Sequence, residues 1–473
     1  MDILVYVLYI VAFAMFILGL SGLTAPRSAV RGNKIAAAGM AVAFIATLIH
    51  IRATSSWIII IAALVVGVIA GIPPARRIKM TAIPQLVALF NGVGGGTVAL
   101  IAWGEFIESD GFTALRVSSG PPIPLVVASL FAAIIGSLSF WGSIIAFLKL
   151  QQILPSRPLT VGRLQRPLNV VAFLGSVAAS VVVGIGAIST GASPIWFVTI
   201  LVLAGLLGVV TVLPIGGADM PVVISLLNAL TGLSAAAAGL ALNNIAMIVA
   251  GMIVGASGTI LTNLMAKAMN RSIPSIVAGG FGGGTGAVSA TAGSGDQQAK
   301  FTSASDAAIK LAYANQVIVV PGYGLAVAQA QHAVKDMAKV LEARGIEVKY
   351  AIHPVAGRMP GHMNVLLAEA DVAYDAMKEM DDINAEFSRT DVTIVIGAND
   401  VTNPAARTDP NSPIFGMPIL NVDESRSVIV LKRSMSSGYA GVENPLFFAA
   451  NTTMLFGDAK KSVTQVTEEL KAL

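Results

Sequence analysis

Cysteine is absent, which excludes disulfides, thiolate metal sites and a cysteine nucleophile while assigning no compartment. Charge is scarce as well. Only 12% of the 473 residues are Asp, Glu, Lys or Arg, about half the ~25% usual in soluble proteins. The net charge is only +4, and the cations flank apolar blocks, which reads as topology signals and excludes a nucleic-acid surface. No basic segment precedes the first apolar run. That run starts after Asp2 and continues to about Leu20, so it reads as a retained membrane span and not as a signal peptide. No metal site is expected.

What is present is apolar surface: 55% of residues are hydrophobic and the mean hydropathy is +0.78. It is unevenly spread. Up to about Lys267 the chain is apolar blocks separated by short polar turns, and from about Phe301 it has soluble composition. The expected division is a membrane domain over 1–270, a Gly-rich linker over 271–300 and a soluble domain over 301–473. A crossing helix needs about 20 apolar residues. Nine segments qualify, near 3–23, 34–51, 56–73, 83–103, 123–148, 168–189, 195–213, 220–241 and 245–266. The fourth and eighth are the weakest, being interrupted by Asn91, Gly92, Gly94, Gly95, Gly96 and Asn228.

Basic residues set the orientation. Arg27, Arg31 and Lys34 follow span one, and Arg76, Arg77 and Lys79 follow span three. Lys149, Arg157, Arg163 and Arg166 follow span five, and Lys267 and Arg271 follow span nine. The alternate loops hold only Arg52 and Arg116, and the one after span four holds Glu105, Glu108 and Asp110. This places the N-terminus outside and the C-terminal domain in the cytoplasm, or on the matrix side in an organelle. Small residues such as Gly251, Gly255 and Gly258 let helices approach closely, and point to packing against another chain or copy. The Gly-rich stretch 278–295 has no strand running into it and no Lys-Ser/Thr ending it, so it reads as a linker and not as a phosphate loop.

The soluble part reads as a doubly wound α/β domain with a parallel sheet. From 316 a β-branched run enters a Gly turn, and one amphipathic helix then continues to Gly345. Gly322, Gly324 and Val327 take the places of a G-x-G-x-x-G/A fingerprint, with Val327 larger than usual. Alone this is weak, since many strand–helix turns look alike. Segments 346–355, 390–400 and 425–434 read as further buried strands ending in polar residues, where ligands bind in such sheets. No acid stands at the end of the second strand to bind the ribose hydroxyl of NAD. Arg358, Lys432 and Arg433 instead suit a 2′-phosphate, unless they are solvated surface charges.

Within the spans, His50 is the only histidine. It suits a proton relay, or an interfacial hydrogen bond to a headgroup. Asn91 and Asn228 fit interhelical glue or a water-filled path. Asp219 fits a cap on span eight or a sensor of the soluble domain.

These segments together resemble the beta subunit of proton-translocating nicotinamide nucleotide transhydrogenases along the whole length. The residues that carry the resemblance are IGGADMPVVISLLNALTG (215–232), KAMNRSIPSIVAGGFG (267–282), PGYGLAVAQAQ (321–331) and HPVAGRMPGHMNVLLAEA (353–370). With them go GANDVTNPAA (397–406), KRSMSSGYAGVENPLFF (432–448) and FGDAKK (456–461). The resemblance implies hydride transfer from NADH to NADP+ coupled to inward proton movement, hence a translocase as well as an oxidoreductase. NADP(H) would sit on this chain, and NAD(H) on an alpha subunit of one or two chains. A dimer of alpha–beta units in the bacterial inner membrane is implied too. The transfer is direct, so no side chain is expected to do catalytic chemistry.

Carried over by motif, the cofactor would meet Tyr323 between Gly322 and Gly324, and the loop Val355, Ala356, Gly357, Arg358, Met359 and Pro360. It would also meet Gly397, Ala398, Asn399, Asp400 and Val401, with Asp400 as the sensitive coupling acid. Lys432, Arg433 and Ser434 would hold the 2′-phosphate, and Met435, Ser436, Ser437, Gly438 and Tyr439 would fold over as a lid. Gly416, Met417, Asp458 and Ala459 would complete the site. His50, Asn91, Asn228 and Asp219 would mark the proton path. Some members carry the membrane histidine in span four, where Asn91 stands here. His50 is a placement that other members share.

Two rival readings remain at this stage. A nucleotide-sensing channel or carrier predicts binding without hydride transfer. A membrane-anchored dehydrogenase needs a substrate carbonyl site that no Lys, His or Tyr arrangement marks.

Overall fold

Inside a bilayer the backbone finds no water, so a crossing segment must close its hydrogen bonds within a helix. Among the described residues nine helices are long and apolar enough to do so. They are α1 (Asp2–Gly22), α2 (Pro26–His50), α3 (Trp57–Arg77), α4 (Ile83–Glu108), α5 (Ile123–Leu150), α6 (Gln165–Ile188), α7 (Pro194–Val212), α8 (Met220–Ala241) and α9 (Ile245–Ala268). The structure is a computed structural model. It describes the chain except residues 1, 24–25, 52–56, 80–81, 114–122, 156–157, 189–190, 217–218, 271, 281–298, 358–360, 413 and 439. Arg52, Arg116, Arg157, Arg271 and most of the Gly-rich stretch therefore lie outside the described residues. The chain divides into two compact units, Met1–Thr262 with Pro274–Gly283, and Asn263–Ile273 with Gly284–Leu473.

The two weak spans, α4 and α8, are unbroken helices. Their glycines serve helix contact. A Cβ added at Gly95 would come 2.9 Å from the Gly136 carbonyl oxygen of α5, and one at Gly136 would come 2.8 Å from the Gly95 oxygen. The same physics corrects one expectation. Gly255 and Gly258 do not await another chain: a Cβ at Gly258 would lie 3.0 Å from Ala229 of α8, and one at Gly232 would lie 2.6 Å from the Gly255 nitrogen. Gly251 likewise abuts Gly232 and Ala236. The small-residue face of α9 is spent on α8. By contrast α3 buries none of its residues within the chain.

The short helix α10 (Ile273–Gly280) belongs to the first unit from Pro274 onward. The second unit continues with α11 (Ala304–Ala312), whose Ser303 cap accepts from the Asp306 N–H. Then come β1 (Gln316–Pro321), α12 (Tyr323–Val327), α13 (Gln331–Ala343), β2 (Glu347–Ile352), α14 (His362–Glu369), β3 (Met377–Glu379) and α15 (Met380–Ile383). The rest is β4 (Val392–Ile396), α16 (Ala405–Thr408), β5 (Ser427–Lys432), β6 (Thr452–Phe456) and α17 (Ala459–Ala472). The sheet has six strands, all parallel, in the order β3-β2-β1-β4-β5-β6. That is the Rossmann arrangement, with its switch point between β1 and β4.

Central strands of a parallel sheet are covered on both faces and are therefore mostly apolar. β1 and β4 are buried at every residue. Val317, Ile318, Val319 and Val320 are each 0% exposed, and burying a side chain of this size stabilises by about 1.5–3 kcal/mol. The three later strands expected from the sequence are present as β2, β4 and β5, and β3 and β6 are additional. β3 is three residues long and partly exposed, so it has no apolar run to betray it. One further expectation fails. The single helix from the Gly turn to Gly345 is two, because the chain breaks after Val327 and passes through Gln329 at φ +50°. Val327, at 44% exposure, therefore does not fill the third fingerprint position, the close helix–strand contact.

Candidate dinucleotide-binding site

The carboxyl ends of β1 and β4 meet at the switch point through two backbone bonds. The Gly322 N–H donates to the Ile396 carbonyl (2.9 Å), and the Gly324 N–H to the Gly397 carbonyl (3.0 Å). Gly397 has φ +67°, and a Cβ there would sit 2.7 Å from the Gly324 carbonyl carbon. Two backbones touch here only because neither residue carries a side chain. The Gly397 N–H reaches the Leu431 carbonyl (3.1 Å), and the Gly457 N–H the Lys432 carbonyl (3.0 Å). So Gly322, Tyr323 and Gly324, the loop Gly397–Val401, the segment starting at Lys432, and Asp458 with Ala459 all lie at one edge. Ala459 is buried, and the Asp458 carboxylate caps α17 by accepting the Lys461 N–H (3.3 Å).

The segment after β5 folds back onto the β4 loop. The Asp400 carboxylate accepts the Ala440 N–H (3.0 Å), and a Cβ at Gly438 would meet both Asp400 oxygens. Lys432 Nζ donates to the Ser436 carbonyl (2.5 Å) and lies 4.6 Å from the Phe447 ring centre. Burial lowers the Lys432 pKa, and the Asp400 carboxylate opposes that shift. Ser434 and Ser436 share a hydroxyl contact of 2.6 Å. Arg433 is exposed and 3.7 Å from Asp458. Met435 and Ser437 are also exposed, which leaves this strand end rich in donors facing solvent. Tyr439, Arg358, Met359 and Pro360 lie outside the described residues.

Val355, Ala356 and Gly357 form the turn after β2. Gly357 has φ +104°, and a Cβ on it would meet the buried His362 ring. Gly416 and Met417 do not sit at a strand end. They lie on the loop before β5, where the Gly416 N–H donates to the Ala406 carbonyl of α16 (2.8 Å). Asn270 Nδ2 donates to the neighbouring Phe415 carbonyl (2.8 Å).

His353 joins these two loops, and sequence reasoning singled it out for no role. The Val355 N–H donates to its Nδ1 (3.2 Å), so the ring proton sits on Nε2 and donates to the Pro418 carbonyl (2.8 Å). Burial pushes the His353 pKa down to about 4, against the opposing pull of the Pro418 bond. The neutral ring is thus built in. As pH falls below the unfolded value near 6.5, the unfolded chain takes up this proton first. Stability present above pH ~6.5 should drain away towards pH 4, by on the order of 3 kcal/mol. The thermal midpoint of the soluble unit should drop over that window in the full chain, and drop less in His353→Gln. An equal drop in both would remove His353 as the cause.

In the first unit Asn91 is buried and its Nδ2 donates to Ser143 Oγ (2.9 Å) and Ser139 Oγ (3.4 Å) of α5. Ser139 Oγ in turn contacts Thr231 Oγ1 (2.5 Å) and donates to the Leu227 carbonyl (3.1 Å) of α8. A polar chain therefore crosses α4, α5 and α8, and half-buried Asn228 stands next to its end. Ser139, Ser143 and Thr231 were invisible to sequence reasoning because serine and threonine are common in such helices. Asp219 takes the N-cap position of α8, but its side chain makes no capping bond. His50 is the last residue of α2 and exposed. Among the described residues no hydrogen bond ties it to that chain.

Nine helices able to span a membrane among the described residues, followed by a Rossmann-type domain with cations after β5, define a membrane protein equipped to bind a dinucleotide. The sequence matches the family model of the NAD(P) transhydrogenase beta subunit over residues 5–469. NAD(P) transhydrogenase subunit beta of Rhodospirillum rubrum is 48% identical over 463 residues, which is 98% of this chain and 98% of its own length. The protein of the same name from one strain of that organism gives the same figures. The chain belongs to the NAD(P) transhydrogenase beta subunit family. Nicotinamide nucleotides are accordingly the expected ligands of the family, and an alpha subunit the expected partner.

Proposed function

We propose that this chain binds NADP(H) on residues 301–473 and receives hydride from NADH held by an alpha subunit, while residues 1–270 carry protons inward. The observation that carries the nucleotide assignment is the glycine contact at the β1/β4 switch point with Lys432 and Arg433 two strand ends away. The residues present fit the nucleotide. Bare backbone at Gly322 and Gly324 admits a pyrophosphate, and Lys432, Arg433 and Ser434 supply charge-assisted donors for a 2′-phosphate.

Bound NADP+ would supply the nicotinamide ring that accepts hydride. The chain's own residues position it and exclude water. Tyr323 and the loop Val355–Pro360 line the site, and the Lys432–Tyr439 segment, latched by Asp400, closes over it. Gly416, Met417, Asp458 and Ala459 complete the enclosure. Coupling requires protonation in the membrane to change how the nucleotide is held, a linkage of two sites. His50, Asn91, Asn228 and Asp219 form the path, and Asp400 is the acid at which the lid responds. The N-terminus lies outside, the nucleotide domain is cytoplasmic, and two alpha–beta units pair in the bacterial inner membrane.

The test uses the chain with its alpha partner in sealed vesicles, following reduction of an NADP+ analogue by NADH with and without an imposed proton gradient. Acceleration abolished by an uncoupler is expected; binding without hydride transfer would favour a nucleotide-gated channel. A coupling free energy of ordinary size corresponds to a factor of about 5–150. His50→Ala should lose that acceleration while NADP+ still binds in the absence of a gradient, and full coupling in the variant removes His50 from the path.

A further inference from the structure

The return of the lid to the core is fastened by Asn444, a residue 1% exposed that lies outside every part of the site assigned so far. Its amide has one possible orientation. The Leu446 N–H, which can only donate, lies 3.0 Å from Asn444 Oδ1. Asn444 Nδ2 must then face the other way, where it donates to the Asn399 backbone carbonyl (3.1 Å), which can only accept. The Asn399 side-chain atom 3.1 Å from that same Nδ2 is therefore its Oδ1. With Oδ1 spent, the remaining Asn399 atom is Nδ2, a buried donor with no partner among the described residues. A buried amide donor left without an acceptor costs about 1–3 kcal/mol. Asn399 stands at the carboxyl end of β4, next to Asp400 and the glycine contact at the switch point.

We propose that Asn444 is a positioning residue that fixes the Asn399 amide, so that Asn399 Nδ2 donates a hydrogen bond to an acceptor oxygen of the bound nicotinamide nucleotide. This rests on the nucleotide-binding reading above. The acceptor is an oxygen of the nucleotide, because an amide N–H offers no bond to a cation or an apolar group. Asn444 touches no ligand in this scheme. It acts through Asn399, and it simultaneously ties the lid's end to the loop that carries Asp400. Asn403, fully buried, reinforces the same joint by donating to the Glu443 carbonyl (3.2 Å).

The experiment is a double-mutant cycle on NADP+ binding in the full alpha–beta complex, with Asn399→Ala, Asn444→Asp and the double variant. Asn444→Asp keeps the acceptor for Leu446, so the turn should still fold, but it loses the donor to Asn399. Each single change should raise the Kd and KM for NADP+ by about tenfold with kcat held, the size of one well-made hydrogen bond. The double variant should be no weaker than Asn399→Ala alone, because the two residues act as one unit. Multiplying effects in the double variant, or an unchanged Kd in Asn399→Ala, would overturn the proposal. Failure of the unaltered complex to bind NADP+ would instead bring down the nucleotide-binding reading.

Discussion

Replacing Lys432 and Arg433 together by alanine is expected to raise the Kd for NADP+ by about 10³-fold while the Kd for NAD+ moves less than about fivefold. Hydrogen bonds to a charged group contribute about 1.5–3 kcal/mol each, so two of them correspond to a factor of about 10²–10⁴. NAD+ lacks the 2′-phosphate and loses only what these residues give to the lid. That share is real for Lys432, which holds the Ser436 carbonyl and packs on Phe447. Among the described residues Arg433 holds no lid atom, and it pairs with Asp458 at 3.7 Å. Arg433→Ala alone should therefore show the cleaner discrimination between the nucleotides. Titration calorimetry with both nucleotides decides it, and parallel loss of NAD+ and NADP+ would reject the 2′-phosphate assignment.

The second large effect belongs to Gly397→Ala. Alanine at φ +67° pays about 1–2 kcal/mol for the left-handed backbone. Its Cβ would also lie 2.7 Å from the Leu325 nitrogen and the Gly324 carbonyl carbon, where the neighbour is backbone and cannot rotate away. Overpacking of this kind costs roughly another 1–3 kcal/mol. Unfolding should show a total loss of about 2–5 kcal/mol, with nucleotide affinity lost as the β1 turn is pushed off β4. Gly345→Ala is the control. Gly345 also has a positive φ, +82°, but nothing lies within 4 Å of an added Cβ. It should show only the backbone part and bind nucleotide normally. If the two substitutions cost the same, the close approach of the two turns is not what Gly397 provides.

The sequence by itself determined the membrane half in outline. A bilayer requires about 20 apolar residues per crossing, and that demand is met by composition, whatever the helices pack against. It also determined the nature of the second half, because strands buried on both faces show as apolar, β-branched runs such as 317–320. The motifs at 397–406 and 432–448 named the family before any fold was visible.

Tertiary structure alone decided the rest. Strand order depends on pairings between residues far apart in the chain, such as Val317 with Val392, and β3 carries too little apolar surface to be seen locally. The break after Val327 went unseen because Ala and Gln residues around it favour helix, and packing overrode that preference. Whether glycines in α9 meet a partner or the chain's own α8 is a question of which face turns inward, and composition is silent on it. His353, Asn403 and Asn444 looked like ordinary loop residues. What gives them roles is burial against specific carbonyls, Pro418 for His353 and Asn399 for Asn444, since an unpaired polar group costs far more inside the protein than in water.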